Sequence, residues 1–408
     1  MRVIGLDVSR TVGEIAYLED GQLREGGRVV LQHDALERFA RGLQPSDEVV
    51  LEATGNTTAI VTALKPYVAK VVIANPLQVR LIAEARVKTD KIDAAILAQL
   101  YASGFLPQVW MPDDYTQALR RQVARRSQIV RHRTRLKNQI HAVLAAHLIP
   151  QCPAADLFGR KGRAWLAEQP LPMDERLAVE QRLRELDRLG EDLGAIDKLL
   201  CESVLQDEQL KRLLTITGVN SIVAIGLLAA IGEISRFASP EKLVSYFGLN
   251  PRVRQSGLHP AQHGHISKVG RAHARAMLVE AAWAAANAPG PLRAFFLRIR
   301  ARRGQQIAAV ATARKLAVIA WHVLAGQKDY AWGRPGLIAK KRRELELRAG
   351  MPARKGHRGA AAEYNLKEVR DQERAAAQIA EQAYVRFVAN WQPKKKPPTG
   401  ENSAADSR

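Results

Sequence analysis

A chain of 408 residues, 47% of them apolar, is long enough for two or three domains with real cores. Its 62 Lys and Arg against 41 Asp and Glu leave a formal charge of +21, which points to a polyanionic partner. Nucleic acid comes first; composition alone also leaves open an RNA-coated ribosomal-type protein or a membrane-surface binder. Two cysteines, Cys152 and Cys201, show no metal-ligand spacing, which argues against a disulfide scaffold or a zinc ribbon and suits a reducing cytoplasm. MRVIGLDVSR carries no apolar signal region. The most apolar stretch, IVAIGLLAAIG from Ile222, is too short to span a bilayer and is interrupted by Gly226 and Gly232. The expectation is a cytoplasmic protein with no membrane partner.

The first hundred residues read as α/β. VIGLDV is an apolar run with β-branched residues, GEIAYLED a second strand, and the turn Asp20-Gly21 leads to a third around GRVVLQ. Leu36, Phe39, Ala40 and Leu43 put DALERFARGL on a helix. EVVLEATG follows as a buried strand, NTTAIVTALKPYV as a helix capped by Asn56 or Thr57, and KVVIANP as a strand stopped at Pro76. A basic stretch, QVRLIAEARVKTDK, passes into the helix IDAAILAQLYASG. Three strands joined by hairpins, then helices alternating with strands, is the order of the ribonuclease H architecture.

Residues 114–148 form one long basic helix. Leu119, Val123, Val130, Leu136, Ile140 and Leu144 supply an imperfect apolar stripe, while Arg120, Arg121, Arg125, Arg126, Arg131, Arg133, Arg135 and Lys137 cover the rest. A second long helix starts near Met173, with a heptad-like seam of Leu186, Leu189, Leu193, Ile196 and Leu200. Together they suggest a helical hairpin or an intersubunit coiled coil. From Leu213, LLTITGVNSIVAIGLLAAIG reads as helix, tight Gly218 turn, helix. That is the helix-hairpin-helix pattern, whose glycine turn offers N–H groups to phosphate without reading sequence, and also the pattern of an ordinary packed helical hairpin. ARAMLVEAAWAAANA and AAVATARKLAVIAWHVLAG continue the helical region. Beyond Gln327 come AKKRRELELR, a Gly/Arg-rich stretch, the helix EVRDQERAAAQIAEQAYVRFVANW and a terminal PKKKPPTGENSAADSR expected to be disordered. Four segments are therefore expected: an α/β domain over 1–108, a helical or coiled-coil linker over 109–207, a mainly helical domain over 208–326 and a basic extension over 327–408.

Chemistry enters with the acids. Asp7 sits inside an apolar strand, where a charge is expensive unless compensated. Glu52 ends another apolar strand, and Asp90 and Asp93, three apart, share one face of a helix start. In a ribonuclease H sheet the first and fourth strands are neighbours, which sets Asp7 beside Glu52 with the later helix laid across them. Four converging carboxylates repel one another. A pair of Mg²⁺ ions relieves that, and in-line phosphodiester chemistry uses such a pair. Singly, Asp90 and Asp93 also suit the acidic start of a helix, and Glu52 a strand-end surface position. The conjunction carries the reading.

IGLDVS, LEATG, VIANP and KTDKIDA resemble the signature blocks of DEDD-type transposases of bacterial insertion sequences, whose N-terminal domain is similar to that of Holliday-junction resolvases, a ribonuclease H variant. The resemblance implies that Asp7, Glu52, Asp90 and Asp93 form a tetrad holding Mg²⁺, two ions per site. In the C-terminal half, YFGLNPRVRQSG followed by GHISKVG reads from its residues as a long basic loop entering a helix near Arg271. There Arg252, Arg254, Lys268, Arg271, His273 and Arg275 are phosphate-contact candidates. Ser256 has cations around it but no evident base. The same family carries a block of this kind, and the resemblance makes Ser256 the nucleophile that links covalently to a DNA phosphate, with Ser267 the rival position. It further implies DNA partners (element ends and target), a noncoding guide RNA from the element, and a homo-oligomer, dimer or tetramer. The tail beyond Gln327 exceeds the family minimum, leaving a nucleic-acid contact, a dimer element or a neutral extension open.

The resulting expectation is a transposase that cuts and rejoins DNA with the tetrad and Ser256. The rivals are a resolvase-like metal-dependent endonuclease using water as nucleophile, and a non-catalytic basic nucleic-acid-binding protein.

Overall fold

The computed structural model describes residues 2–82, 89–257, 259–353, 364 and 366–390. The chain divides into two compact units, residues 1–113 and 114–408. The basic stretch at 83–88, most of the Gly/Arg-rich segment and the terminus from 391, expected to be disordered, lie outside the described residues.

The first unit is built on a five-stranded sheet. Its strands are β1 (Arg2–Val8), β2 (Val12–Glu19), β3 (Gln22–Val30), β4 (Glu48–Glu52) and β5 (Lys70–Ala74), in the order β3-β2-β1-β4-β5. β1 to β3 run antiparallel through tight turns, while β4 and β5 join β1 in parallel. This mixed sheet is consistent with a ribonuclease H-like fold. The helices are α1 (His33–Arg41), α2 (Thr57–Leu64), α3 (Pro76–Ile82) and α4 (Asp90–Ala102). Strand alternation sorts the two faces. Ile4, Leu6 and Val8 point to a core shared with Leu36 and Ala40 of α1 and Ile60 and Leu64 of α2. Val3, Val50, Val72 and Ala74 point to the other side, against Leu97 and Ala98 of α4. The central strands bury both faces, which is why β4 reads as a continuous apolar run. Asn56 is the residue before α2 but makes no side-chain cap. α3 was not expected: Pro76 ends the strand and also begins a helix, the position where a missing N–H does no harm.

The second unit is mainly helical: α5 (Asp114–Ala146), α6 (Arg160–Ala167), α7 (Met173–Ser203), α8 (Glu208–Leu214), α9 (Ser221–Ile231), α10 (Pro240–Tyr246), α11 (Ala272–Asn287), α12 (Pro291–Arg303), α13 (Gln305–Ala325), α14 (Pro335–Arg348) and α15 (Lys367–Asn390). A two-stranded hairpin, β6 (Pro251–Arg254) and β7 (Gln262–Ile266), stands between α10 and α11 where the sequence reads as loop. α5 and α7 pack as a hairpin within one chain. Its apolar face differs by one position from the expected stripe: Ile129 is buried, and Val130 is 37% exposed. The largest core joins Leu119 and Val123 of α5, Leu200 and Cys201 of α7, and residues of α8 to α11, α13 and α14. Burial pushes the Cys201 thiol up to about 11, so it behaves as a small apolar side chain. Among the described residues α13 alone is long and apolar enough to cross a membrane, and half of that window is buried within the protein.

The extension beyond Gln327 is docked rather than loose over its described part. α14 packs on α7, α8 and α9, and α15 on α12. Lys341 of α14 is buried, its ammonium donating to the carbonyls of Leu214 (2.8 Å) and Ile216 (2.9 Å) at the turn between α8 and α9.

Candidate active site

The sheet places two of the acids. β1 and β4 run parallel with Leu6 beside Leu51, so one step further Asp7 stands beside Glu52, on backbones about 4.8 Å apart. By alternation Asp7 shares the face of Val3 and Gly5, and Glu52 that of Val50, which is the face covered by α4. Both acids are half-buried. Gly5 explains how closely the helix approaches: a Cβ there would stand 1.9 Å from the Ala94 carbonyl oxygen. Ala94 follows Asp93, so the residue that seats α4 on β1 is the chain neighbour of the fourth acid. Thr89 caps α4 by accepting from the Ile92 N–H, which sets Asp90 and Asp93 in the first turn. Asp93 is half-buried and Asp90 exposed. Lys91 ties the same turn to β3 through Glu25 at 2.7 Å.

A fifth acid, Glu14, was not singled out in the sequence. It lies directly across the ladder from Asp7 and is only 4% exposed. The Arg28 guanidinium of β3 pairs with it, and Glu14, with Asp90 further off, holds Arg28 above its ordinary pKa. Glu14 carries the same sequence signal as Asp7, an acid within an apolar strand. Among the described residues no group of three or more His, Cys, Asp or Glu is close enough to hold a metal ion. The donor type suits a hard divalent cation, all carboxylate oxygen, and Asp7 and Glu52 are adjacent on one face.

In the second unit Ser256 is exposed just beyond β6, between Arg254 and Gly257, which has a φ of +55°. Arg252 and Arg254 are exposed on β6, and Lys268 and Arg271 follow β7. Ser267 sits at the opposite end of the hairpin, half-buried, its hydroxyl donating to Asn250 Oδ1 at 2.8 Å.

The arginines of α5 separate into two groups. Arg120 donates to the carbonyls of Ala229 (2.7 Å) and Ala230 (2.9 Å), capping the C-terminal end of α9. Arg126 pairs with Asp197 of α7, and Arg133 stands against Gly190. Arg121, Arg125 and Arg131 are exposed. A second cluster, around Tyr246, has no local signal in the sequence. Its hydroxyl donates to Ala230 O and accepts from Arg271 at 2.8 Å, with Arg236 stacked 4.4 Å from the ring centroid. Burial alone would raise the Tyr246 phenol, but Arg271, Arg120 and Arg236 outweigh it and bring the phenol below its ordinary value. Partial desolvation, then repulsion from Arg131 and Arg126, lowers the His273 imidazole.

Gly218 has a φ of +89°, and a Cβ there would meet the Ala281 carbonyl oxygen at 2.3 Å. Its hydrogen faces α11, so the turn between α8 and α9 is a packing junction, and Lys341 fills the carbonyl side of it.

Comparison with known proteins matches both units. Residues 4–149 match a transposase family of the DEDD, IS110 type, and residues 210–297 match the family described as Transposase IS116/IS110/IS902. A putative transposase, y4qE, of Sinorhizobium fredii is 25% identical over 69% of this chain and 70% of its own length. The transposase for insertion sequence element IS1111A of Coxiella burnetii is 24% identical over 82% of this chain and 92% of its own. A probable family 20 transposase of Pseudomonas aeruginosa is 25% identical over 82% and 98%. With two successive matches that together span more than half of the sequence, and relatives aligned across both units, the chain belongs to the IS110-type family of insertion-sequence transposases.

Proposed function

We propose that this transposase cuts and rejoins DNA with Asp7, Glu52, Asp90 and Asp93 as an acidic site for two Mg²⁺ ions and Ser256 as the nucleophile. The observation that carries the reading is the adjacency of Asp7 and Glu52 on one face of the sheet, beneath the helix whose first turn bears Asp93. Asp7, Glu52, Asp90 and Asp93 would hold the Mg²⁺, which would supply neutralisation of the negative charge on the scissile phosphate. The protein's own part is to hold the carboxylates on rigid strands and to present an exposed hydroxyl beside Arg252 and Arg254, which attract the phosphate. Ser256 Oγ bonds to phosphorus and gives up its proton. The bond to a deoxyribose oxygen breaks, and that oxygen takes up a proton. The ester formed keeps the phosphodiester bond, so a strand-end hydroxyl can reverse the attack and rejoin DNA without an external energy source.

The exposed arginines of α5, Arg121, Arg125 and Arg131, support a role in holding nucleic acid, element-encoded guide RNA included. Phosphate binding by the turn at Gly218 has less support, because that residue packs on α11. Acids and serine lie on different units, and the proposal extends to a homodimer or tetramer in which they act together across subunits.

The test is a denaturation-resistant protein–DNA adduct. Ser256→Ala is expected to form none at any time, and an adduct of wild-type yield in Ser256→Ala would sink the serine reading. Mixing Ser256→Ala with Asp7→Asn then probes sharing between subunits: recovered cleavage supports it, and none in mixed oligomers refutes it.

A further inference from the structure

Ser267 and Asn250 form a clamp at the base of the serine hairpin, and we infer that the pair positions Ser256 for attack; the inference rests on Ser256 being the nucleophile. The two strands of the hairpin continue from a short antiparallel seam of chain. Ser267 N–H donates to Asn250 O (2.8 Å), Ser267 Oγ to Asn250 Oδ1 (2.8 Å), Lys268 N–H to Gly248 O (3.1 Å) and Arg271 N–H to Tyr246 O (3.0 Å). Arg275 adds a bond from its guanidinium to Phe247 O at 2.9 Å. So every residue from Tyr246 to Asn250 except Leu249 accepts a bond from the strand leaving the hairpin or the helix after it, and Leu249 is fully buried in the core. Gly270 is required here: a Cβ would meet Tyr246 O at 2.2 Å.

β6 and β7 pair irregularly, with a shift between Pro251 and Val253, and Val253 and Arg254 are exposed. The direction in which Ser256 is presented is therefore set at the base. There the Ser267–Asn250 bond joins the side chains of the residue just before β6 and the residue just after β7, while Arg271 to the Tyr246 hydroxyl and Arg275 to Phe247 O lie further down the seam and Arg252 reaches Ser267 O at 3.4 Å. Backbone bonds close the seam. The side-chain bond fixes its twist at the residues from which both strands spring. Ser267 is thus a positioning residue, and its likeness to a second nucleophile in sequence follows from needing a hydroxyl that donates.

The experiment follows adduct formation over time with the full chain and its DNA, beside DNA affinity and thermal midpoint. Ser267→Ala and Asn250→Leu are expected to slow adduct formation about 10- to 100-fold, as misplacement of a reacting group does, with DNA affinity and midpoint close to wild type. Because Asn250 accepts through Oδ1, Asn250→Asp keeps the acceptor and should restore most of the rate, as should Ser267→Thr. Should Asn250→Leu fail to fold, Ser267→Ala, which deletes a single oxygen, carries the same comparison. Wild-type rates in Ser267→Ala would overturn the clamp while leaving Ser256 as nucleophile. Loss of the adduct in Ser267→Ala with normal rates in Asn250→Leu would make Ser267 the attacking residue and overturn both. An adduct retained by Ser256→Ala would overturn the nucleophile reading and, with it, the positioning role that rests on it.

Discussion

Lys341 offers a quantitative test of whether the C-terminal extension is part of the folded core. Its ammonium is buried at the turn between α8 and α9, and burial, with added repulsion from Arg334, lowers its pKa from 10.5 to about 8. At 1.36 kcal/mol per unit that shift corresponds to about 3 kcal/mol. The folded pKa lies below the unfolded one. At neutral pH both states are protonated and the full burial penalty is present. Between pH 8 and 10.5 the unfolded chain binds more protons than the folded one, so stability rises with pH across that window. Lys341→Met abolishes the titration. It also leaves the carbonyls of Leu214 and Ile216 without their donor, at about 1–3 kcal/mol each, so at pH 7 the two effects nearly cancel.

The informative quantity is therefore the pH slope of the difference. Urea denaturation of wild type and Lys341→Met at pH 7.5, 9 and 10.5, followed by tryptophan fluorescence, removes every titration common to both. Wild type is expected to gain about 2–3 kcal/mol on the variant over that range. A difference that stays flat within about 0.5 kcal/mol would refute both the burial of the charge and the docking of α14 that imposes it.

Three further predictions concern the first unit and the basic helix. Gly5→Ala places a methyl against the Ala94 carbonyl and lifts α4 from β1; stability should fall by the upper end of about 1–3 kcal/mol in urea denaturation, with strand cleavage falling more than DNA affinity. Unchanged stability would mean that α4 is not seated there. Arg120→Met should destabilise by about 1–3 kcal/mol and leave the salt dependence of DNA binding alone, since it is engaged by the Ala229 and Ala230 carbonyls and the Tyr246 hydroxyl. Arg121→Ala and Arg125→Ala should do the opposite, each lowering the log–log salt slope by about one.

What was legible in the sequence followed from local patterns whose meaning does not depend on distant partners. The five strands were readable because β-branched runs and tight turns report on themselves, and Asp7 because a charge inside such a run demands a reason. Glu14 raises the same demand, yet its answer is Arg28, a residue of another strand that only the register of β2 on β3 brings opposite. The β6–β7 hairpin has no alternation to announce it, since its one apolar strand residue before the turn, Val253, is exposed; backbone bonds from Tyr246 to Arg271 hold it, not burial. On α5 the stripe slipped from Ile129 to Val130 because an α-helix repeats every 3.6 residues, so a template extended over 33 residues drifts by a position.

The same limit governs the cations, and it bears on function. A run such as AKKRRELELR looks like a solvated face, and nothing local tells Lys341 from its neighbours until α14 meets two carbonyls at a helix end. Arg120 and Arg121 are likewise adjacent and equivalent in sequence; one closes α9 and the other is exposed. Net charge therefore overstates the surface available to nucleic acid, because carbonyls left without intrahelical partners at helix ends take up part of it first. On the proposed reading, exposed cations such as Arg121, Arg125, Arg131 and Arg135 on α5 and Arg252, Arg254 and Lys268 about the hairpin supply the phosphate path toward Ser256.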